Sequence, residues 1–316
     1  MITGAASGIG RGLAQLLSRR GSPVAIADID ETGLKQTADL LSGRVLTRVL
    51  DVRDAAAQHA FAAEVRDWLS TPLAAVFNNA GVAVSSSVLD SVPEDDEWLR
   101  QINFDGVVNG TRAFLPLLVE QDFGVIVNTS SVFGLAGMPN QSAYCAAKFG
   151  VRGFTDALRR ELRGTGVSAV NVHPGGVTTN IARNARVRKD PEGRGRTREQ
   201  MAAEFEAVTL TSPDKAAEFI CRGVERGRRA DSDHAHPLLR RSVRCSARAA
   251  GPGTEGNPAM TERLDVLIRR YGCLDDATIR FSRAAMGARR PGSTAEERRG
   301  VPREAAGGRV KLGWLS

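Results

Sequence analysis

The chain has 316 residues, 42% of them hydrophobic, with four cysteines and a formal charge of +7, enough apolar material for one substantial core and length for one large domain or two. No run approaches the roughly 18 consecutive apolar residues of a membrane span, the N-terminus lacks the zones of a secretory signal, and Cys145, Cys221, Cys245 and Cys273 form no Cys-x-x-Cys pair, which argues against a span, export, a disulfide framework and a metal site. A cytoplasmic protein with reduced thiols is expected; residues 230–316 hold 16 Lys and Arg against 10 Asp and Glu, so +6 of the charge sits in that tail and the body is nearly neutral.

Along the chain, only Met1, Ile2 and Thr3 precede a first glycine turn, so the strand feeding it is expected to be truncated, roughly five to six residues being usual. Either the start lies upstream or this central strand is cut short. A helix over Arg11–Arg19 follows, then strands at Pro23–Ala27 and Val45–Leu50, a helix at Ala56–Leu69, a strand at Leu73–Phe77 and a long helix at Trp98–Val119. A strand at Gly124–Asn128, a helix at Ala143–Arg163, a strand at Val167–Val172 and a helix at Ala216–Arg226 complete the series. The strands are continuous Val/Ile/Leu/Ala-rich runs without polar alternation, as expected when both faces are covered. Alternation of such runs with helical patterns predicts an α/β fold with a doubly wound parallel sheet.

The first motif is Thr3-Gly4-Ala5-Ala6-Ser7-Gly8-Ile9-Gly10, between strand and helix. Glycines there let the backbone turn tightly and approach a pyrophosphate, which free amides and the positive end of a helix meet. Asp28 ends the second strand twenty positions past Gly8. A carboxylate at that place accepts hydrogen bonds from ribose hydroxyls and repels an additional phosphate, which favours NAD over NADP. Arg11 is a complication, because a basic side chain near the cradle would tolerate NADP.

Further motifs follow in order: Asp51-Val52 after the third strand, Asn78-Asn79-Ala80-Gly81 after the fourth, Tyr144-Cys145-Ala146-Ala147-Lys148, and Pro174-Gly175-Gly176-Val177-Thr178-Thr179. With these in register, residues 1 to about 229 resemble the classical short-chain dehydrogenases/reductases. The resemblance implies a Rossmann-type sheet, a nicotinamide cofactor and a Ser-Tyr-Lys centre assisted by an Asn. It assigns Ser131, thirteen residues before Tyr144, to the substrate oxygen, in preference to its neighbour Ser130. Asn103 matches the Asn that bends its helix and holds a water near the lysine. Cofactor contacts are implied at Gly4, Ser7, Gly8, Ile9, Gly10, Asp28, Asp51, Val52, Asn79, Ala80, Gly81, Tyr144, Lys148, Pro174, Gly175, Val177 and Thr179. It also implies a homodimer or homotetramer through the helices Trp98–Val119 and Ala143–Arg163, where Val107, Phe114, Leu118, Phe149, Phe154 and Leu158 are expected to supply a second apolar face.

The Tyr–Lys pair carries a chemical argument of its own. Hydride transfer at carbon requires a proton to leave or reach the oxygen, and tyrosine, with a free pKa of about 10, is a poor base at neutral pH. Lys148 lies one helical turn beyond Tyr144, on the same face, where its ammonium is expected to lower the tyrosine pKa. By resemblance it also holds the nicotinamide ribose.

Phe133, Leu135 and Met138, with Val82 and Val84, suggest a mainly apolar pocket. Residues 177–210 form an expected lid in which Met201, Phe205 and Val208 make one apolar face, while Arg183, Arg186, Arg188 and Lys189 leave room for an anionic handle. A hydrophobic secondary alcohol or ketone is the expected substrate. Beyond residue 229, Ala230–Pro237 cannot supply the apolar last strand of the family pattern, so that strand is expected to be missing. Residues 230–316 then form a weakly ordered basic tail, with at most two short helices at Thr261–Tyr271 and Asp276–Gly287. A reading-frame change near residue 229 or a genuine extension would produce such a tail. Two other readings are an NAD-binding sensor or scaffold without turnover, for which the Tyr–Lys pair should be broken and is not, and binding of nucleic acid or an anionic surface through the tail. Ten acidic residues and few aromatics there argue against a specific nucleic-acid partner.

Overall fold

The computed structural model describes residues 1–207, 209, 211–232 and 242–245. Seven parallel strands lie in the order β3-β2-β1-β4-β5-β6-β7, namely β1 Ile2–Thr3, β2 Val24–Asp28, β3 Val45–Val49, β4 Ala75–Asn78, β5 Gly124–Thr129, β6 Val167–Pro174 and β7 Ser242–Cys245. The helices are α1 Gly8–Arg19, α2 Glu31–Asp39, α3 Ala55–Trp68, α4 Pro93–Arg100, α5 Gly106–Glu120, α6 Ser142–Glu161, α7 Arg198–Ala207 and α8 Pro213–Ser232. The chain reverses its winding between β1 and β4, and at such a switch point the strand ends part to leave a crevice for ligands.

Successive side chains of a strand point to opposite faces, and each face here finds its own cover. Val125 and Val127 of β5 join Ile26, Leu13, Ala217 and Ile220 on the side of α1 and α8. Ile126 joins Phe61, Phe114, Leu118 and Leu158 on the side of α3, α5 and α6, where the rings of Phe61 and Phe114 meet edge to face at 6.1 Å. Two-sided burial explains the unbroken apolar runs, at about 25 cal/mol per Å2 of apolar surface removed from water. Helix starts follow local chemistry: the side chains of Asp30 and Asp54 accept from the amides of Gly33 and Ala57, at 3.0 and 2.9 Å, and so cap α2 and α3.

Several expectations need correction. The last strand is present, formed by Ser242–Cys245, with Val172 pairing with Val243 and Pro174 with Cys245. The open edge of β6 offers a row of backbone donors and acceptors, and a short extended segment can satisfy them without an apolar run. The first strand is as short as expected, two residues, pairing Ile2 with both Ile26 and Phe77. β3 is a sheet edge with Thr47, Arg48 and Val49 exposed, not a strand covered on both sides. The single helix expected at Trp98–Val119 is α4 and α5 joined by a π-helical stretch, Gln101–Asp105. Of the residues expected at a subunit interface, Val107, Phe114, Leu118 and Leu158 are buried in the chain's own core, whereas Phe149 is exposed. The two tail helices lie outside the described residues, as does Val208 of the lid.

Candidate active site

All the strands end on the same side, and the loops that leave them enclose a cleft of about 1700 Å3. It is lined by every residue that the sequence assigned to catalysis or to the cofactor except Gly10 and Asn103, which stand behind its wall. Gly8, the first residue of α1, has φ +53°, a left-handed conformation that side chains disfavour. A Cβ on Gly10 would lie 2.1 Å from the carbonyl oxygen of Gly4, so that glycine serves the close approach of helix to strand rather than a ligand. Thr3, not singled out from the sequence, locks the turns of β1 and β4 together. Its hydroxyl accepts from the amides of Asn79 and Ala80 at 3.0 and 3.2 Å, and the Asn79 side chain donates back to the Thr3 carbonyl at 3.1 Å.

This half of the cleft fits a dinucleotide. The start of α1 carries no acidic residue in its first turn and the Ser7 side chain makes no capping bond, which leaves the positive end of the helix to a phosphate. Asp28 is held by two amides, Ala6 N donating to Oδ2 at 2.9 Å and Asp30 N to Oδ1 at 3.0 Å. Each carboxylate oxygen keeps a further lone pair for a hydroxyl. Arg11 is turned away from the cleft. Its guanidinium donates to the carbonyls of Ala6 and Gly33 and to the side chains of Gln36 and Thr37, tying α1 to α2. Asp51 pairs with Arg53 at 2.6 Å, which holds its carboxyl below the usual range.

At the ends of β5 and α6, Ser131, Tyr144 and Lys148 come together. The Ser131 hydroxyl accepts from Phe133 N at 3.1 Å and is hydrogen-bonded to Tyr144. Ser130 points elsewhere, donating to the Lys148 carbonyl at 2.8 Å. The ammonium of Lys148 is buried, donates to the Thr129 carbonyl at 2.9 Å and lies 5.7 Å from the Tyr144 ring centroid. Burial pulls Lys148 down to about 8 and pushes Tyr144 up to about 12, the Ser131 bond opposing the latter. The expected lowering of the tyrosine by Lys148 is not seen; desolvation of the phenolate governs the shift. Asn103, in the π-helical stretch and fully buried, grips the backbone of one residue with both ends of its amide: Oδ1 accepts from Val82 N at 2.8 Å and Nδ2 donates to Val82 O at 2.9 Å. Behind Ser131, the His173 ring is 3.0 Å from its carbonyl.

The other half of the cleft is apolar. Val82, Phe133, Leu135 and Met138 line it as expected, together with Trp98, Ile102, Ile181, Val187, Met201 and Phe205, whereas Val84 is packed behind the wall against Leu99 and Ala147. The lid's cations are paired with acids: Arg183 with Glu206, Arg186 and Arg188 with Asp95, Lys189 with Asp90, and Arg196 with Asp190 and Glu204. Sequence reading missed these acids because they carry no motif, and Asp90 and Asp95 lie some ninety residues or more from their partners. Among the described residues no three of His, Cys, Asp and Glu converge as metal ligands, and no helix is long and apolar enough to cross a membrane.

Comparison with known proteins agrees with this architecture. A family model described as short chain dehydrogenase matches residues 1–190. The putative oxidoreductase SadH of Mycobacterium tuberculosis (strain ATCC 25618 / H37Rv) is 44% identical over 234 residues, covering 72% of this chain and 82% of that protein. A short chain dehydrogenase/reductase from Burkholderia phymatum, solved in complex with NAD, superposes with a TM-score of 0.67 at 26% identity, over 87% of this chain and 95% of that one. The closed form of serine dehydrogenase complexed with NADP+ shares the fold, with a TM-score of 0.65 at 24% identity over 81% and 98% of the two chains.

Proposed function

The chain belongs to the short-chain dehydrogenase family, oxidoreductases acting on CH–OH groups, and on that premise we propose that it moves a hydride between NAD and a hydrophobic secondary alcohol or its ketone, with Tyr144 as general acid and base. The observation that carries this reading is the meeting of Ser131, Tyr144 and Lys148 at the junction of a phosphate cradle and an apolar pocket. Asp28, with Arg11 drawn away from the cleft, supports NAD over NADP.

When bound, the nicotinamide supplies the site that accepts or gives the hydride. The glycine turn with Ser7 and Ile9 would hold its pyrophosphate, Asp28 the adenine ribose, and Lys148 the nicotinamide ribose. Tyr144 gives its phenolic proton to the carbonyl oxygen in reduction and takes the hydroxyl proton in oxidation. With its pKa pushed up to about 12, the phenol is protonated at neutral pH. Reduction can then proceed from the resting protonation state, whereas oxidation needs the phenolate and should quicken as pH rises. Ser131 orients the substrate oxygen toward Tyr144. Asn103 holds the Val82 peptide in place, fixing the wall beside Lys148. The apolar lining of the outer cleft excludes water and selects an uncharged substrate.

Steady-state assays on a panel of apolar secondary alcohols and ketones test this reading. Tyr144→Phe should lower kcat by about 10^3-fold and leave NADH affinity nearly intact, because it removes the proton carrier and little else. Retention of most of the activity would refute the role of Tyr144, and tighter binding of NADP than NAD would refute the cofactor assignment.

A further inference from the structure

Asp95 sits in the first turn of α4 with its side chain 4% exposed. A carboxylate withdrawn this far from water is unfavourable unless charged partners meet it. Arg186 donates from Nη1 to Oδ1 at 3.0 Å, and Arg188 from Nε to Oδ2 at 2.6 Å and from Nη2 to Oδ1 at 3.1 Å. Both arginines belong to the lid, some ninety residues later. The Arg186 guanidinium also stacks 3.6 Å from the ring centroid of Trp98, a residue of the apolar wall.

The backbone of the same lid segment is laced into that wall. Arg186 N donates to Ala83 O and Ser85 N to Arg186 O, both at 3.0 Å, and Ser86 N donates to Asn140 O at 3.1 Å. Three extended pieces thus run side by side: the lid around Arg186, the loop Ala83–Ser86, and the approach to α6, which carries Tyr144. The helix bearing Asp95 leads directly into the π-helical stretch of Asn103.

We propose that Asp95 is a positioning residue that fastens the lid, through Arg186 and Arg188, against the wall of the substrate pocket and so sets the affinity for an apolar substrate. This deepens the functional reading above and rests on it. Asp95 touches neither end of the hydride path. It acts by keeping both guanidinium groups out of the pocket and by holding the lid segment that contributes Val187 to its lining.

The test compares the full-length protein with Asp95→Asn, and with Arg188→Met, which keeps Asp95 paired to Arg186 and carries the test should the first variant fail to fold. With a bulky apolar alcohol, KM should rise about tenfold in Asp95→Asn and about threefold in Arg188→Met, while kcat and the NADH Kd stay within about twofold. Tryptic cleavage in the NADH-bound protein, at whichever of Arg186, Arg188 and Lys189 the variant retains, should accelerate about tenfold in Asp95→Asn and more modestly in Arg188→Met. An unchanged cleavage rate, or an NADH Kd that weakens in step with KM, overturns the proposal. Should no alcohol be turned over at all, the functional reading fails by itself, and the cleavage rate still decides whether Asp95 holds the lid.

Discussion

The two halves of the cleft are built on different principles. On the cofactor side every contact involves the main chain: a left-handed glycine, amides fixed on the Asp28 carboxylate, and amides held by the Thr3 hydroxyl that ties one strand end to the next. On the substrate side the wall is held by ion pairs that tie the lid segment to residues at and before α4, such as Lys189 with Asp90 and Arg186 with Asp95. The first half is an extension of the sheet and can change little without disturbing it. The second depends on side chains that can be exchanged in pairs, which lets one scaffold accept different substrates.

Lys148 belongs to both halves, and replacing it should give the largest effect. Lys148→Met should reduce turnover by about 10^3-fold. It should also stabilise the cofactor-free protein at pH 7 by about 1 to 3 kcal/mol, because a buried ammonium that bonds only a carbonyl is removed. The sign follows from the lowered pKa. Between about 8 and the ordinary lysine value of 10.5 the unfolded chain binds more protons at Lys148 than the folded one, so the wild type gains stability as pH rises through that window. The advantage of the variant should therefore shrink toward pH 10.5, and thermal unfolding at the two pH values checks it. A variant less stable at pH 7 would mean that the lysine is held more favourably than its burial suggests.

Breaking the cofactor half alone calls for Gly8→Val. Its φ of +53° and the Thr179 methyl 3.1 Å from the position of a Cβ leave no relaxed place for a branched side chain. NADH affinity should fall by about 100-fold, or about 2.7 kcal/mol, while tryptic cleavage of the lid in the cofactor-free protein stays unchanged. Faster lid cleavage would show that the halves are coupled. Asp28→Ala sharpens the comparison with a smaller effect: the preference for NAD over NADP should narrow by about tenfold, read from the two dissociation constants. An unchanged ratio would move selectivity elsewhere in the half.

The same division governs what could be read from the sequence. The cradle and the Ser-Tyr-Lys set were legible because each depends on neighbours in the chain: Gly8 on its own backbone angle, Tyr144 and Lys148 on one turn of α6. The strands were legible because burial on two faces writes itself as an apolar run, and β3, buried less, was misjudged for the same reason. Asp95 was not legible, since nothing near it in sequence reveals that two lid arginines meet it. The π-helical stretch at Asn103 and the short β7 escaped as well, for both follow from what the surrounding structure needs: a peptide for the Asn103 amide to grip, and an open strand edge to pair.

The bond from the Phe133 amide to the Ser131 hydroxyl has a consequence for how a substrate oxygen can be received. Oγ accepts from Phe133 N with one lone pair and keeps a second lone pair and its own hydrogen. The backbone therefore fixes where the oxygen sits without fixing which way its hydrogen turns. Ser131 can meet a ketone as a donor and an alcohol as an acceptor from one position, so both directions of the reaction find the same anchor, and a substitution that displaced the Phe133 amide would loosen that anchor without removing any side chain from the site.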